Sequence, residues 1–132
     1  MNTEEDIHRS SFIAHRSSRL KRLFKSLRAE KRCGFIAYVT CGDPDCETTA
    51  SIIEALERAG VDAVELGIPF SDPIADGPVI QAASQRSLRR GTTVNDVFAI
   101  ARTIRKRSEI PLIAWAASSC WRQRRPTLGS KP

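Results

Sequence analysis

The run Val61-Asp-Ala-Val-Glu-Leu66, followed by Gly67-Ile-Pro-Phe-Ser-Asp-Pro-Ile-Ala-Asp-Gly77 and then Pro78, decides the fold. Its first six residues read as a strand. The next eleven, punctuated by glycine and proline, read as a long loop. Pro78 suits the first turn of a helix that ends near Arg90, with Gly91 as its stop.

The same grammar repeats on both sides. Upstream, Gly34 precedes Phe35-Ile-Ala-Tyr-Val-Thr40, which reads as a buried strand, and Cys41-Gly-Asp-Pro-Asp45 is turn chemistry. A helix is expected from about Cys46 to Ala59, apolar at Ile52, Ile53 and Leu56, with Gly60 in the favoured stop position. Downstream, Thr93 caps a further helix whose apolar positions Val97, Ile100, Ala101 and Ile104 form one stripe. Ile110-Pro-Leu-Ile-Ala114 then predicts a third strand, with Pro111 tolerated near its start. Ahead of all this, Leu20, Leu23, Phe24 and Leu27 fall at i, i+3, i+4 and i+7 and predict an amphipathic helix over 18–31, N-capped by Ser18. Its polar face is strongly basic, which admits a membrane-surface helix as the alternative; a helix laid over one end of a core is the favoured reading. Strands alternating with helices mean parallel strands under covering helices, an α/β architecture.

Residues 1–17 lack periodicity and read as a mobile leader, 18–114 as the folded part, and 115–132 as a basic tail in which the pattern does not return. The net charge of +6 is distributed unevenly. Residues 1–33 carry nine Lys and Arg against four acids, and 115–132 carry four basic residues and no acid, whereas 34–114 hold eight against eleven. A nucleic-acid binder needs its basic face on the folded body, beside groups that read or stack on bases. Here the body is mildly acidic, so no nucleic-acid partner is expected.

A length of 132 residues with 41% hydrophobic side chains describes about one domain. No stretch approaches the ~18 apolar residues of a membrane span, and the N-terminus lacks the apolar core of a secretory signal. A cytoplasmic chain without membrane contact is expected. Cys33, Cys41, Cys46 and Cys120 match neither a paired metal motif nor a disulfide framework, and His8 and His15 both lie in the leader. No metal site is expected, and chemistry falls to carboxylates, hydroxyls and backbone groups.

Glu65 sits at the C-terminal end of its strand, where ligands bind in parallel α/β sheets and barrels. Alternation places it on one face with Val61 and Ala63, and Asp62, Val64 and Leu66 on the other. A carboxyl group there is partly withdrawn from water, which suits it to proton transfer; a glutamate that merely reaches solvent is the equal alternative. The loop after Glu65 is longer than the ~2–6 residues of an ordinary connection and presents Asp72 and Asp76. The two aspartates form an acid/base set with Glu65, hold Mg²⁺, or simply cap turns and helix ends; the residues alone leave these open.

The run Phe35-Ile-Ala-Tyr-Val-Thr-Cys-Gly-Asp-Pro44 resembles the opening strand of the tryptophan synthase alpha subunit family. Val64-Glu-Leu-Gly-Ile-Pro-Phe-Ser-Asp-Pro-Ile-Ala-Asp-Gly-Pro-Val-Ile-Gln81 resembles that family's most distinctive motif, and the likeness extends over roughly Ser18 to Ile113. The resemblance implies a TIM barrel of the (β/α)8 type, of which this chain supplies the leading helix and the first three βα units. It implies retro-aldol cleavage of indole-3-glycerol phosphate to indole and glyceraldehyde 3-phosphate in tryptophan biosynthesis, with no cofactor. By motif position Glu65 is similar to the catalytic general acid/base, and Asp76 to the aspartate that stabilises positive charge at the indole nitrogen. Tyr38 takes the place of an aromatic lining the substrate pocket, with Thr40 beside it. Pro69, Asp72 and Pro73 match the loop facing the beta subunit, the pyridoxal-phosphate partner of the family's alpha2-beta2 complex.

A barrel of this kind needs ~250 residues and eight βα units. Three strands leave an apolar sheet face and an unpaired edge open. A truncated or frame-shifted alpha subunit is therefore expected, with impaired lyase activity, or else a non-catalytic fragment that still binds a beta subunit.

Overall fold

The structure is a computed structural model that describes residues 19–72 and 76–116. The leader, the Ser18 cap, Pro73 and most of the basic tail lie outside the described residues. Helix α1 spans 19–29, followed by β1 (Ile36–Thr40), α2 (Cys46–Arg58), β2 (Ala63–Gly67), α3 (Pro78–Arg89), α4 (Val94–Arg105) and β3 (Leu112–Trp115). The three strands form one parallel sheet in the order β1-β2-β3.

The pleat sorts side chains onto two faces. One carries Ala37, Val39, Val64, Leu66 and Leu112, which pack with Ile53 of α2 and Val97, Ile100 and Ile104 of α4 into the core. The other carries Ile36, Tyr38, Thr40, Ala63, Glu65, Gly67, Ile113 and Trp115. No described helix covers its outer part: Ile36 is 40% exposed and Trp115 55% exposed. The expected buried first strand is only half-buried: Ile36 is exposed, Ala37, Tyr38 and Val39 are half-buried and Thr40 alone is buried, while Phe35, at 63% exposure, stands before it rather than within it.

Caps explain where the helices begin and end. Asp45 accepts the Thr48 N–H at 2.7 Å to open α2. At α4 a reciprocal pair does the same, with Asp96 accepting the Thr93 N–H at 2.7 Å and Thr93 Oγ1 accepting the Asp96 N–H. Gly60 and Gly91 close α2 and α3 with positive φ, as expected. The first helix departs from expectation by two residues. It ends at 29 rather than 31, because Lys31 takes the left-handed conformation (φ 51°) while the Lys31 and Arg32 N–H groups bond to Arg28 and Leu27 carbonyls. Val61 departs too: it lies in the core with Val64, not on the face of Ala63 and Glu65. Its N–H bonds the Leu56 carbonyl in the closing turn of α2, so strand alternation has not yet begun there. At the far end β3 reaches Trp115, one residue beyond the expected strand.

Helix α1 lies over the N-terminal end of the sheet through buried Leu27, which abuts Gly34. Arg32 grips Asp62 with two 2.8 Å bonds, and the Phe35 N–H donates to the same carboxylate at 2.7 Å. A groove of about 340 Å³ runs between α1 and Ile36 at this end, away from the C-terminal ends of the strands.

Candidate functional site

Register decides which side chains meet. Tyr38 is the β1 partner of Glu65, and Ile113 is its β3 partner; Thr40 and Trp115 flank Gly67 in the same way. The pleat then puts Tyr38, Thr40, Glu65 and Gly67 on one face, at the C-terminal ends of the strands. The Tyr38 ring leans along this face toward Gly67. A Cβ at position 67 would collide with the phenol oxygen, so the ring occupies the space that a side chain there would take.

Burial pushes the Tyr38 hydroxyl above the ordinary phenol range, and the Thr40 hydroxyl bonded to it partly offsets this. The charges of Asp76 and Glu65 act in the same direction as burial. Two carboxylates from different segments thus lie near enough to one phenol for their fields to reach it. Glu65 is half-buried, on the face that also carries the exposed Ile36 and Trp115.

Asp76 arrives on this side through α3. The Gln81 side chain, one turn into the helix, donates to the Asp76 carbonyl at 2.8 Å. Of the loop residues expected to face a partner, Pro69 is buried, Asp72 is exposed and Pro73 lies outside the described residues. Among the described residues no three His, Cys, Asp or Glu side chains come together as a metal site. The Cys41 thiol is buried and pushed up to about 12, which keeps it protonated. Among the described residues, no helix is long and apolar enough to cross a membrane.

The residues that hold this end together are less visible in the sequence. Ser87 and Arg86 of α3 reach back to the turn after β1, where Ser87 Oγ donates to the Cys41 carbonyl at 2.6 Å and Arg86 holds Asp43 at 2.7 and 2.9 Å. Gly42, with φ +79°, lies so close to Ser87 and Thr92 that a Cβ would strike both. The only sequence signal for this clamp is the Gly-Asp-Pro turn itself.

Comparison with known proteins places this arrangement. The profile of the family described as tryptophan synthase alpha chain matches residues 24–118. The chain is 54% identical over 96 residues to the alpha chain of Solibacter usitatus, covering 73% of this chain and 36% of that protein. To the alpha chain of a Thermoanaerobacter species it is 51% identical, covering 73% and 37%. Among solved structures, the subunit alpha from Legionella pneumophila superposes with a TM-score of 0.70 at 38% identity, covering 74% of this chain and 38% of that one. Tryptophan synthase from M. tuberculosis gives 0.69 at 36%, covering 74% and 39%. The chain thus spans about a third of the length of the curated relatives it matches. Its parallel sheet, with α2 and α4 on one face and Glu65 on the other, is part of a TIM barrel. With a match of this extent on a sheet that carries Glu65 and Tyr38 in register, the chain belongs to the tryptophan synthase alpha chain family.

Proposed function

We propose that these residues form part of a lyase site that cleaves indole-3-glycerol phosphate to indole and glyceraldehyde 3-phosphate. The observation that carries the reading is the convergence of Glu65 and Asp76 on Tyr38, at the strand ends of a chain from this family. Breaking the bond between ring and glycerol carbon requires the ring carbon to gain a proton and a glycerol hydroxyl to lose one. Glu65 serves both transfers as general acid and base. Asp76 stabilises the positive charge that protonation places on the ring nitrogen. Tyr38 and Thr40 line the pocket against the ring. No cofactor enters; pyridoxal phosphate belongs to the beta subunit that receives the indole. The reading places the chain in the cytoplasm, where thiols such as the free Cys33, Cys41 and Cys46 stay reduced.

Because the matched segment makes up only 36% of the Solibacter usitatus alpha chain, turnover by this chain is expected to fall far below that of a full-length alpha subunit. The test is a steady-state assay with indole-3-glycerol phosphate on the chain and on Glu65→Gln. Loss of about 10²-fold or more in the variant supports the reading. Equal turnover in both chains overturns it.

Asp72, exposed on the loop, favours a second reading in which the chain docks on a tryptophan synthase beta subunit without catalysing anything. Capture of the chain by purified beta subunit, weakened by Asp72→Ala and accompanied by no lyase turnover, supports this reading. Absence of capture eliminates it.

A further inference from the structure

We propose that Arg86 and Ser87 are positioning residues that lock α3 onto the turn following β1, and thereby hold Asp76 on the same side of the sheet as Tyr38 and Glu65. The consequence for catalysis rests on the lyase reading above; the placement itself does not.

Helix α3 follows β2, yet its packing partner among the strands is β1. Its ends explain how. At its head, Pro78 stands two residues after Asp76, and Gln81 binds the Asp76 carbonyl, so Asp76 moves with the helix. The helix start has no side-chain cap, and the anchoring lies at the other end. Ser87 is fully buried with its hydroxyl on the Cys41 carbonyl, directly after Thr40. Arg86 meets Asp43 through two parallel bonds, a planar fork that fixes orientation as well as distance. The turn it grips is itself fastened from behind, because the Gly42 N–H donates to Thr49 Oγ1 of α2 at 3.0 Å and Thr49 donates to the Asp45 carbonyl at 2.7 Å. A rigid turn on β1 and a rigid helix leading back to Asp76 form a strut between the two halves of the site. Releasing one end lets Asp76 swing relative to β1.

Tyr38 is the only tyrosine in the chain, so its ionisation reports on Asp76 directly. The carboxylates that act on it are Asp76 and Glu65; Asp43 is not among the causes of its shift, nor is Arg86. The experiment is an absorbance titration of the tyrosinate ion in the full chain, with circular dichroism to establish folding. Asp76→Asn is expected to lower the Tyr38 midpoint. Arg86→Ala is expected to lower it to the same value, the double variant no further, and Arg86→Lys by less. If Arg86→Ala does not fold, Asp43→Asn breaks the same pair from the other side and takes its place. A folded Arg86→Ala chain that titrates like the parent overturns the proposal, as do additive shifts in the double variant or no shift in Asp76→Asn. In the lyase assay, Arg86→Ala should lose up to about 10²-fold in kcat, the cost of a small misplacement of a catalytic group. Absence of turnover in the parent chain, with the titration pattern intact, counts against the lyase reading alone.

Discussion

The Tyr38 hydroxyl rests against Gly67, two residues along β2 from Glu65, the residue that Tyr38 faces in register. This diagonal contact ties the aromatic wall of the site to the backbone just beyond the carboxylate, and it works only because position 67 has no side chain. Gly67→Ala is therefore expected to push the ring into solvent and cost about 1–3 kcal/mol, the usual range for overpacking. Burial is the main cause of the raised Tyr38 midpoint, so that midpoint should fall toward the ordinary phenol value. Urea unfolding and the tyrosinate titration measure the two effects. A folded variant with an unmoved midpoint would mean that the ring has room for a methyl group.

Lys31 predicts a gain. An L residue in the left-handed region costs roughly 1–2 kcal/mol, against about 0.5–1 kcal/mol for the extra freedom of glycine in the unfolded chain. At φ 51° the balance favours glycine. Lys31→Gly should raise stability by about 0.5–1 kcal/mol, whereas Lys31→Ala, which keeps the Cβ, should not. Thermal unfolding of the pair separates backbone relief from loss of the lysine charge.

Two substitutions of aliphatic residues test which helix builds the core. Ile53 on α2 is fully buried between the sheet and α4, while Val79 at the head of α3 is 79% exposed. Ile53→Ala is expected to cost about 2–5 kcal/mol and Val79→Ala less than about 0.5 kcal/mol. Comparable losses in denaturant midpoints would contradict the packing of α3 chiefly against β1 and the turn after it.

Much of this architecture can be read in the chain because the signals are local. Thr93 and Asp96 announce the start of α4 three residues apart, and Gly60 and Gly91 mark stops that only a positive φ explains. The stop at Lys31 is invisible by the same logic, since lysine carries no preference for that backbone region. Val61 misleads because a closing helix turn borrows a residue that looks like the first of the strand. Glu65 and Asp76 stand out through the resemblance, whereas the contact of Arg86 with Asp43 spans 43 residues and leaves no periodic trace. The sheet face is a case of a different kind. Ile36 reads as a buried strand residue, and Trp115 as the first residue of the tail; the exposure of both reflects a sheet face whose outer part no described helix covers.

Acid should loosen the junction of α1 and β1 first at Asp62. Arg32 and the Phe35 N–H hold this carboxyl below the usual carboxylate range, and its side chain is only 8% exposed. A group depressed in the folded state binds its proton more readily once unfolded. Its stabilising contribution is therefore complete above the unfolded value of about 3.9 and is lost as pH falls through the lower folded value. Asp62→Asn keeps the shape and removes the charge. The stability difference between parent and variant should be largest near pH 7 and shrink progressively below about pH 4. Urea midpoints at pH 7 and pH 3 measure it. A difference that stays the same at both pH values would mean that the side chain acts there through its shape and neutral hydrogen bonds, with no part played by its ionisation.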